Sequence, residues 1–377
     1  MVEQSNSGRM ETPIVDVIDE RLSRQSRLRR MLSRPDLGAF AGAVLVFVFF
    51  AFAAGDTGMF AADGVMNWLT VTAQLMIIGT GAALLMIGGE FDLSVGSMIG
   101  FAGMVIAIPT IYFHVPVGVS VILAFVMAMA IGALNGYIIV RTRLPSFIVT
   151  LASLYMLRGL TIALSIVFTN RTIVSGLKQY SDNSFVAALF SAKLFPGFFR
   201  WLAENGIINK LPNGAPAVSG LPMLLVWAVV IAVIGHVVLT KTRVGNWIFA
   251  SGGDANAARN VGVPVSAIKI SLFMVTAFCA TVFAACQVFE FGSAASDRGL
   301  LKEFEAIIAA VIGGCLLTGG YGSVVGACLG ALIFGVVQMG ILFTGAPSDW
   351  FQVFLGAMLL IAVLFNSSIR RRVTGER

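Results

Sequence analysis

Charge is what this sequence has least of. Only 12% of its 377 residues are Asp, Glu, Lys or Arg, against 58% hydrophobic, and the mean hydropathy is +0.91. Soluble domains carry about 25% charge and roughly 45–50% apolar residues, so an ordinary soluble fold is excluded. Length alone would suggest two or three soluble domains, but the apolar runs fill so much of the chain that one membrane-embedded domain is the better count. Histidine is nearly missing too: His114 and His236 are the only imidazoles, too few for a histidine-rich metal site. Cys279, Cys286, Cys315 and Cys328 fall inside apolar runs without CxxC or Cys/His spacing, which reads as packing rather than zinc ligation. Gly-Lys-Ser and Gly-Lys-Thr are absent, so no P-loop is present to cradle nucleotide phosphates. The expectation is a non-enzyme with no cofactor and no metal; any ATP hydrolysis belongs to another chain.

The first 36 residues hold seven arginines and six acids but no apolar h-region or cleavage site, so they read as a retained tail rather than a signal peptide. Ile14, Ile18, Leu22, Leu28, Met31 and Leu32 recur near helical spacing among Arg21, Arg24, Arg27, Arg29 and Arg30. That is the pattern of a basic amphipathic helix on an anionic leaflet, with a loosely ordered cytoplasmic tail as the alternative. Nucleic acid is a poor partner for the +6 net charge, because the basic residues flank apolar runs instead of forming one patch.

What is present is a succession of long apolar runs. Ten approach the length that a ~30 Å bilayer core asks of a helix, at residues 37–54, 65–87, 95–113, 115–140, 147–169, 221–240, 268–289, 304–317, 324–343 and 350–365. The fold class expected is an all-α integral membrane protein of about ten transmembrane helices. Placing the N-terminus in the cytoplasm puts 17 of the 25 Lys and Arg residues on that side, so both termini are expected there. The chain divides into a tail at 1–36, a transmembrane domain at 37–367 and a basic tail at 368–377. Two connections exceed simple turns. An outer insert at 170–220 carries Phe185, Phe190, Phe195, Phe198, Phe199 and Trp201 among Lys193 and Arg200, which suggests a helix resting at the interface. An inner segment occupies 241–267.

Polar punctuation marks three places. In "MIGGEFDLSVGS", residues 86–97, Gly88 and Gly89 end one run, and Asp92 or Ser94 is placed to cap the next. Such a break lets polar groups face a cavity that lipid would not tolerate. A second interruption, "LLTGGYGSVVGA" at 316–327, contains Gly319, Gly320 and Ser323 and follows a short run. Paired Gly-interrupted segments point to a translocation path near the midplane. Glu90 and Asp92 then read as path-lining acceptors, with pure capping the alternative for Asp92 and a role at the cytoplasmic mouth for Glu90. Arg158 calls for a carboxylate partner at depth, since an unpaired charge there costs about 2.5 kcal/mol or more. Glu303 and Glu305 with Arg298 and Lys302 read as a charged outer rim or a solvated loop. The third place is "GGDANAARNVGVP": Gly252 and Gly253 break the preceding structure, Asp254 caps a two-turn helix through Asn256, Ala257 and Ala258, and Gly262 with Pro264 stops it.

That last segment resembles the cytoplasmic coupling helix of bacterial ATP-binding-cassette sugar importer permeases of the ribose/xylose/galactose type, whose usual form is close to AxGGNxxAAxxxGI. Gly252, Gly253, Ala257, Ala258 and Gly262 match it; Asp254 stands where Asn is usual and Asn256 where Glu is common, both keeping capping or surface chemistry. "GGEFDLSVGSMIGFAGM" (88–104) is similar to the family's GGIDLSVGS element. "LNGYIIVRTRLPSFIVTLASLYMLRGL" (134–160), with Asn135, Gly136 and Arg158, resembles its NG…PSFIVTLG…RGL stretch. "EFEAIIAAVIGGCLLTGGYGSVVGACLGALI" (303–333) resembles its ELDAIAAVVIGG…GG.GSV.G element. The resemblance implies a type II-like importer permease with re-entrant segments in the bacterial inner membrane, moving a monosaccharide or related polyol. It also implies a homodimer or pseudo-dimer of permeases, two ATPase subunits or one double-domain ATPase, and a periplasmic sugar-binding protein. Permeases for nucleosides or other small polar solutes belong to the same family. The rival from another class, an ion-coupled secondary transporter, would carry ionisable residues in mid-span; here the acids cluster at breaks and ends.

Overall fold

A computed structural model describes residues 35–347, 349–358, 360 and 361. The amphipathic tail helix, the basic C-terminal tail and the end of the tenth run lie outside the described residues. The helices are α1 (Pro35–Ala53), α2 (Ala62–Ile87), α3 (Val95–Tyr112), α4 (Val117–Thr142) and α5 (Ser146–Thr169), then, in the insert, α6 (Lys178–Ser181), α7 (Phe185–Ser191) and α8 (Pro196–Glu204). There follow α9 (Met223–Lys241), α10 (Arg243–Gly253), α11 (Ala255–Asn260), α12 (Val265–Phe291), α13 (Lys302–Ile312) and α14 (Val324–Phe343). Strands are vestigial: β1 (Ile173–Ser175) pairs antiparallel with β4 (Ser293–Ala295), and β2 (Lys193–Leu194) with β3 (Leu221–Pro222). The chain is an all-α membrane protein.

Among the described residues, seven helices, α2, α3, α4, α5, α9, α12 and α14, are long and apolar enough to cross a bilayer. The first expected run is present as α1, whose apolar part, Leu37–Ala53, is shorter. The eighth departs from expectation. Its residues form α13, whose 11 residues span about 16 Å, half of a ~30 Å core. Gly313 and Gly314 follow, and Gly314 takes φ +89°, which turns the chain back toward α14. An apolar run looks the same in sequence whether lipid or protein surrounds it, and α13 is surrounded by protein.

Burial sorts the helices into two layers. In α2, α3 and α12, 78% of the apolar window is buried inside the protein; in α4, α5 and α9 it is 33%, and their outward faces present apolar residues such as Ile122, Val126, Tyr155 and Val233. Small residues let backbones approach in the inner layer, as membrane helix packing favours. A Cβ added at Gly330 of α14 would stand 1.9 Å from the Ala309 carbonyl oxygen of α13. Helices α4 and α12 run antiparallel, with Gly132 against Phe273 and Gly136 against Ile270. The C-terminus of α4 and the N-terminus of α12 therefore meet at one end of the bundle. Arg141, Arg143 and Lys269 belong to this basic end, and the α9–α10 junction brings Lys241 and Arg243 there. The insert occupies the opposite end, tied to α12 by the β1–β4 pairing.

Gly330→Leu is expected to leave little monodisperse protein in detergent, because a side chain there meets backbone. Gly159→Leu, at a position with nothing within 4 Å, should match the parent protein in size-exclusion profile and Tm. Equal behaviour of the two would overturn the α13–α14 contact.

Candidate functional site

The first break starts where α2 ends. The N–H groups of Gly88, Gly89 and Glu90 donate to the carbonyls of Leu84, Met86 and Leu85, and Gly89 turns the chain at φ +83°. The segment then runs back into the protein. Glu90 forms an ion pair with Lys269 near the start of α12, while Asp92 reaches Thr276, two turns further along the same helix. At 1.5 Å per residue, Thr276 lies about 16 Å from the N-terminal start of α12, so α3 begins inside the bundle rather than at its surface.

Non-helical backbone at such depth needs partners, and α5 supplies them from one face. Ser146 Oγ accepts from the Phe91 N–H at 3.0 Å, and Thr150 Oγ1 from the Leu93 N–H at 3.1 Å. Asp92 closes the turn. Its Oδ1 accepts from the Ser94 N–H (2.9 Å) and Ser94 Oγ (2.6 Å), and its Oδ2 from Thr276 Oγ1 (2.5 Å). Asn135 Nδ2 on α4 donates to Ser94 Oγ at 3.3 Å and to Ser153 Oγ on α5 at 3.2 Å. The structure therefore gathers Asp92, Ser94 and Asn135 into one buried network spanning three helices. Capping takes a different form from the one expected: Ser94 occupies the cap position of α3 with helical angles and no side-chain bond to an α3 N–H, and Asp92 binds Ser94 instead.

The second break meets the first. Gly319 and Gly320 take φ +82° and +73°, and the Gly320 N–H donates to the Ile87 carbonyl at 2.8 Å. Ser323 caps α14 by accepting from the Gly326 N–H at 2.8 Å. Gly252 sits against both breaks: a Cβ there would be 1.8 Å from the Ile87 oxygen and 2.7 Å from the Gly320 nitrogen. Gly252 and Gly253 are the last two residues of α10, so the preceding helix ends there, and the close approach of Ile87 and Gly320 adds a second demand for glycine at 252. Beyond this joint, Asp254 Oδ1 accepts from the N–H groups of Asn256 and Ala257 at 2.9 and 3.0 Å. Those donors hold its carboxyl below the ordinary carboxylate value, so the cap is fully engaged above that value and is lost as pH falls through the lowered one. Ala258 is buried against the protein, while Asn256, Ala257, Arg259 and Val261 face outward, Val261 being 80% exposed. Gly262 ends the turn at φ +86°.

Arg158, half-buried on α5, acts electrostatically on Glu303 in the first turn of α13. Glu303 is only 2% exposed and its Oε2 has no hydrogen-bond partner among the described residues; Glu305, also buried, pairs with Lys302. The charged rim read from sequence is not a rim. After β4 the chain folds back along α3, with Gly100 against the Ser296 and Arg298 carbonyls and Gly96 against Gly299 and Glu303, which carries both acids inward.

A cavity of about 410 Å³ opens at the insert end. Asp63, Asn67, Thr70 and Gln74 line it from one face of α2, Gln287 and Glu290 from α12. Residues 217–220 of the insert complete the wall with Lys193, whose Nζ lies 2.7 Å from Glu290 Oε1. Sequence reading missed this group, although spacings of four, three and four along α2 are one-face helical spacing within an apolar run. Below the cavity α2 is sealed: Leu75, Ile77, Ile78, Leu85, Met86 and Ile87 are at most 1% exposed. Lys269 and Thr276 were equally invisible as partners, being distant in sequence from Glu90 and Asp92.

Residues 64–363 match the family described as branched-chain amino acid transport system / permease component. The chain is 30% identical over 367 residues to the xylose transport system permease protein XylH of Escherichia coli K12, covering 88% of this chain and 91% of that one. It is 31% identical over 310 residues to the ribose import permease protein RbsC of the same strain, covering 82% and 87%. A third relative, the inner membrane ABC transporter permease protein YjfF, is 33% identical over 313 residues, covering 81% and 84%. No solved structure matches significantly.

Thr276→Val leaves a buried Asp92 carboxyl oxygen without its donor and is expected to lower stability by about 1–3 kcal/mol in a detergent unfolding titration. Combined with Asp92→Val it should cost much less than the sum of the two single changes, because they share one bond. Additive losses would show that the pair does not interact.

Proposed function

We propose that this chain, which belongs to the branched-chain amino acid transport system / permease component family, is the membrane-spanning permease of an ATP-driven importer for a monosaccharide or related polyol. The observation that carries the substrate class is the similarity over most of the chain to permeases named for xylose and ribose. The chain performs no bond chemistry. It is a multi-pass inner-membrane protein that works with a separate ATPase and a substrate-delivering binding protein.

In the finer reading, both termini and the basic end face the cytoplasm and the insert faces the periplasm, in keeping with the gathering of Arg141, Arg143, Lys241, Arg243 and Lys269 at one end. Two permeases, identical or paired with a homologous chain, flank a central path. Two ATPase subunits, or one double-domain ATPase, grip the 241–267 segments. Helix α11 is the coupling element: Ala258 seats it on the permease, and Ala257, Arg259 and Val261 form the surface offered to the partner. When the ATPases close, α11 moves with α10, and Gly252 carries the displacement to the ends of α2 and of the 315–323 loop, with which it is in backbone contact. Glu90, Asp92, Ser94, Asn135, Arg158, Gly319, Gly320 and Ser323 then belong to the moving inner half of the path, where they hold the two breaks in shape.

Ala257→Trp and Val261→Asp alter the offered surface without touching the seat. In the complete importer in proteoliposomes, each is expected to reduce sugar-stimulated ATP hydrolysis at least tenfold, with the permease still monodisperse. Normal stimulation in both would overturn the assignment of α11.

A further inference from the structure

The cavity at the insert end has a wall chemistry that narrows what it can hold. Its volume of about 410 Å³ falls within the roughly 300–1,000 Å³ of small-molecule sites. Gln74 projects from α2 about 18 Å below the start of that helix, so the cavity penetrates well into the bundle. Asn67, Thr70, Gln74 and Gln287 are neutral and hydrogen-bonding; amides both donate and accept, and the buried Gln287 Oε1 has no protein partner. Among the described lining residues the only cation is Lys193, and it is already paired with Glu290. A zwitterionic amino acid could set its ammonium against Asp63, but its carboxylate would find no free cation among the described lining residues. A neutral polyol brings hydroxyls that complement amides in both directions, and the rings of Phe190 and Phe291 offer apolar faces to its C–H groups.

We infer that this cavity is the compartment in which the importer holds a neutral polyhydroxylated substrate, with Gln74 and Gln287 as binding residues and Asn67 and Thr70 continuing the same polar face of α2 toward the mouth. The inference rests on the importer reading above. It places the substrate some 20 Å along α2 from the Ile87 joint, on the far side of the apolar seal.

The test uses the complete importer in proteoliposomes, with permease, ATPase and binding protein, and radiolabelled D-xylose, D-ribose and L-leucine. Gln74→Leu and Gln287→Leu, checked for assembly with the ATPase, are expected to reduce pentose uptake at least tenfold at subsaturating sugar, mainly through a raised apparent KM. Thr70→Cys should react with a membrane-impermeant maleimide added from the insert side, and saturating pentose should slow that reaction. Parent-like uptake in both leucine variants, or modification of Thr70→Cys that pentose does not slow, overturns the cavity assignment while the importer stands. A parent complex that takes up L-leucine but neither pentose overturns the sugar reading itself, and this site falls with it.

Discussion

The structure depends on a contact that a single methyl group would break. At the basic end the carbonyl of Ile87, the N–H of Gly320 and the Cα of Gly252 occupy space that leaves no room for a side chain at 252. Three segments from distant parts of the chain are thereby held in backbone contact: the end of α2, the end of α10 and the loop before α14. Contacts between side chains can slide and repack; backbone against backbone at this separation transmits displacement with little slack. On the proposed coupling role of α11, this joint, more than any charged pair, is the route from the 241–267 segment to the membrane-embedded helices.

Helix α2 extends the reach of that joint. It runs without interruption for 26 residues, about 39 Å, from the cavity wall at Asp63–Gln74 to the joint at Ile87. Its middle is packed on all sides, so one continuous helix links the cavity wall to the joint. The polar network around Asp92 has a complementary duty. By fixing the 88–94 segment to α4, α5 and α12 it makes α3 begin at a defined depth, and it satisfies backbone groups that would otherwise be exposed to an apolar interior. The Glu90–Lys269 pair fixes the same segment to α12 one step nearer the surface.

Much of this was legible in the sequence, for reasons that differ by residue. The breaks at Gly88–Gly89 and Gly319–Gly320 were readable because paired glycines inside apolar runs have few other uses. The short helix after Asp254 was readable because capping is local chemistry. What eluded sequence reading is tertiary. Gly252 looks like a helix breaker and nothing more until Ile87 and Gly320 are seen against it. Glu303 looks like a surface acid until the backward fold of residues 296–301 along α3 is known, and α13 looks like a crossing helix because hydropathy records apolarity and not what surrounds it. The 63, 67, 70, 74 face was present in the sequence at helical spacing, but hydropathy averaging hides Asn67, Thr70 and Gln74 inside a long apolar run.

The distribution of charge within this low-charge chain ties the two ends together. Among the described residues, the ion pairs are Lys193–Glu290, Lys269–Glu90 and Lys302–Glu305, and each fixes one element to another or locks a helix start. Charge is thus used for construction. The hydrogen-bonding groups along the cavity wall are mostly neutral, as at Asn67, Gln74 and Gln287, with Asp63 as the acid that enters no ion pair among the described residues. A neutral solute crossing such a protein meets no fixed charge strong enough to trap it, since neutral hydrogen bonds exchange one for another with small net differences in free energy. The same groups give little purchase to an ion. On the proposed reading, preference for uncharged, hydroxyl-bearing molecules rests on the neutral amides and hydroxyls of α2 and α12, with wall charge confined to Asp63 and the Lys193–Glu290 pair.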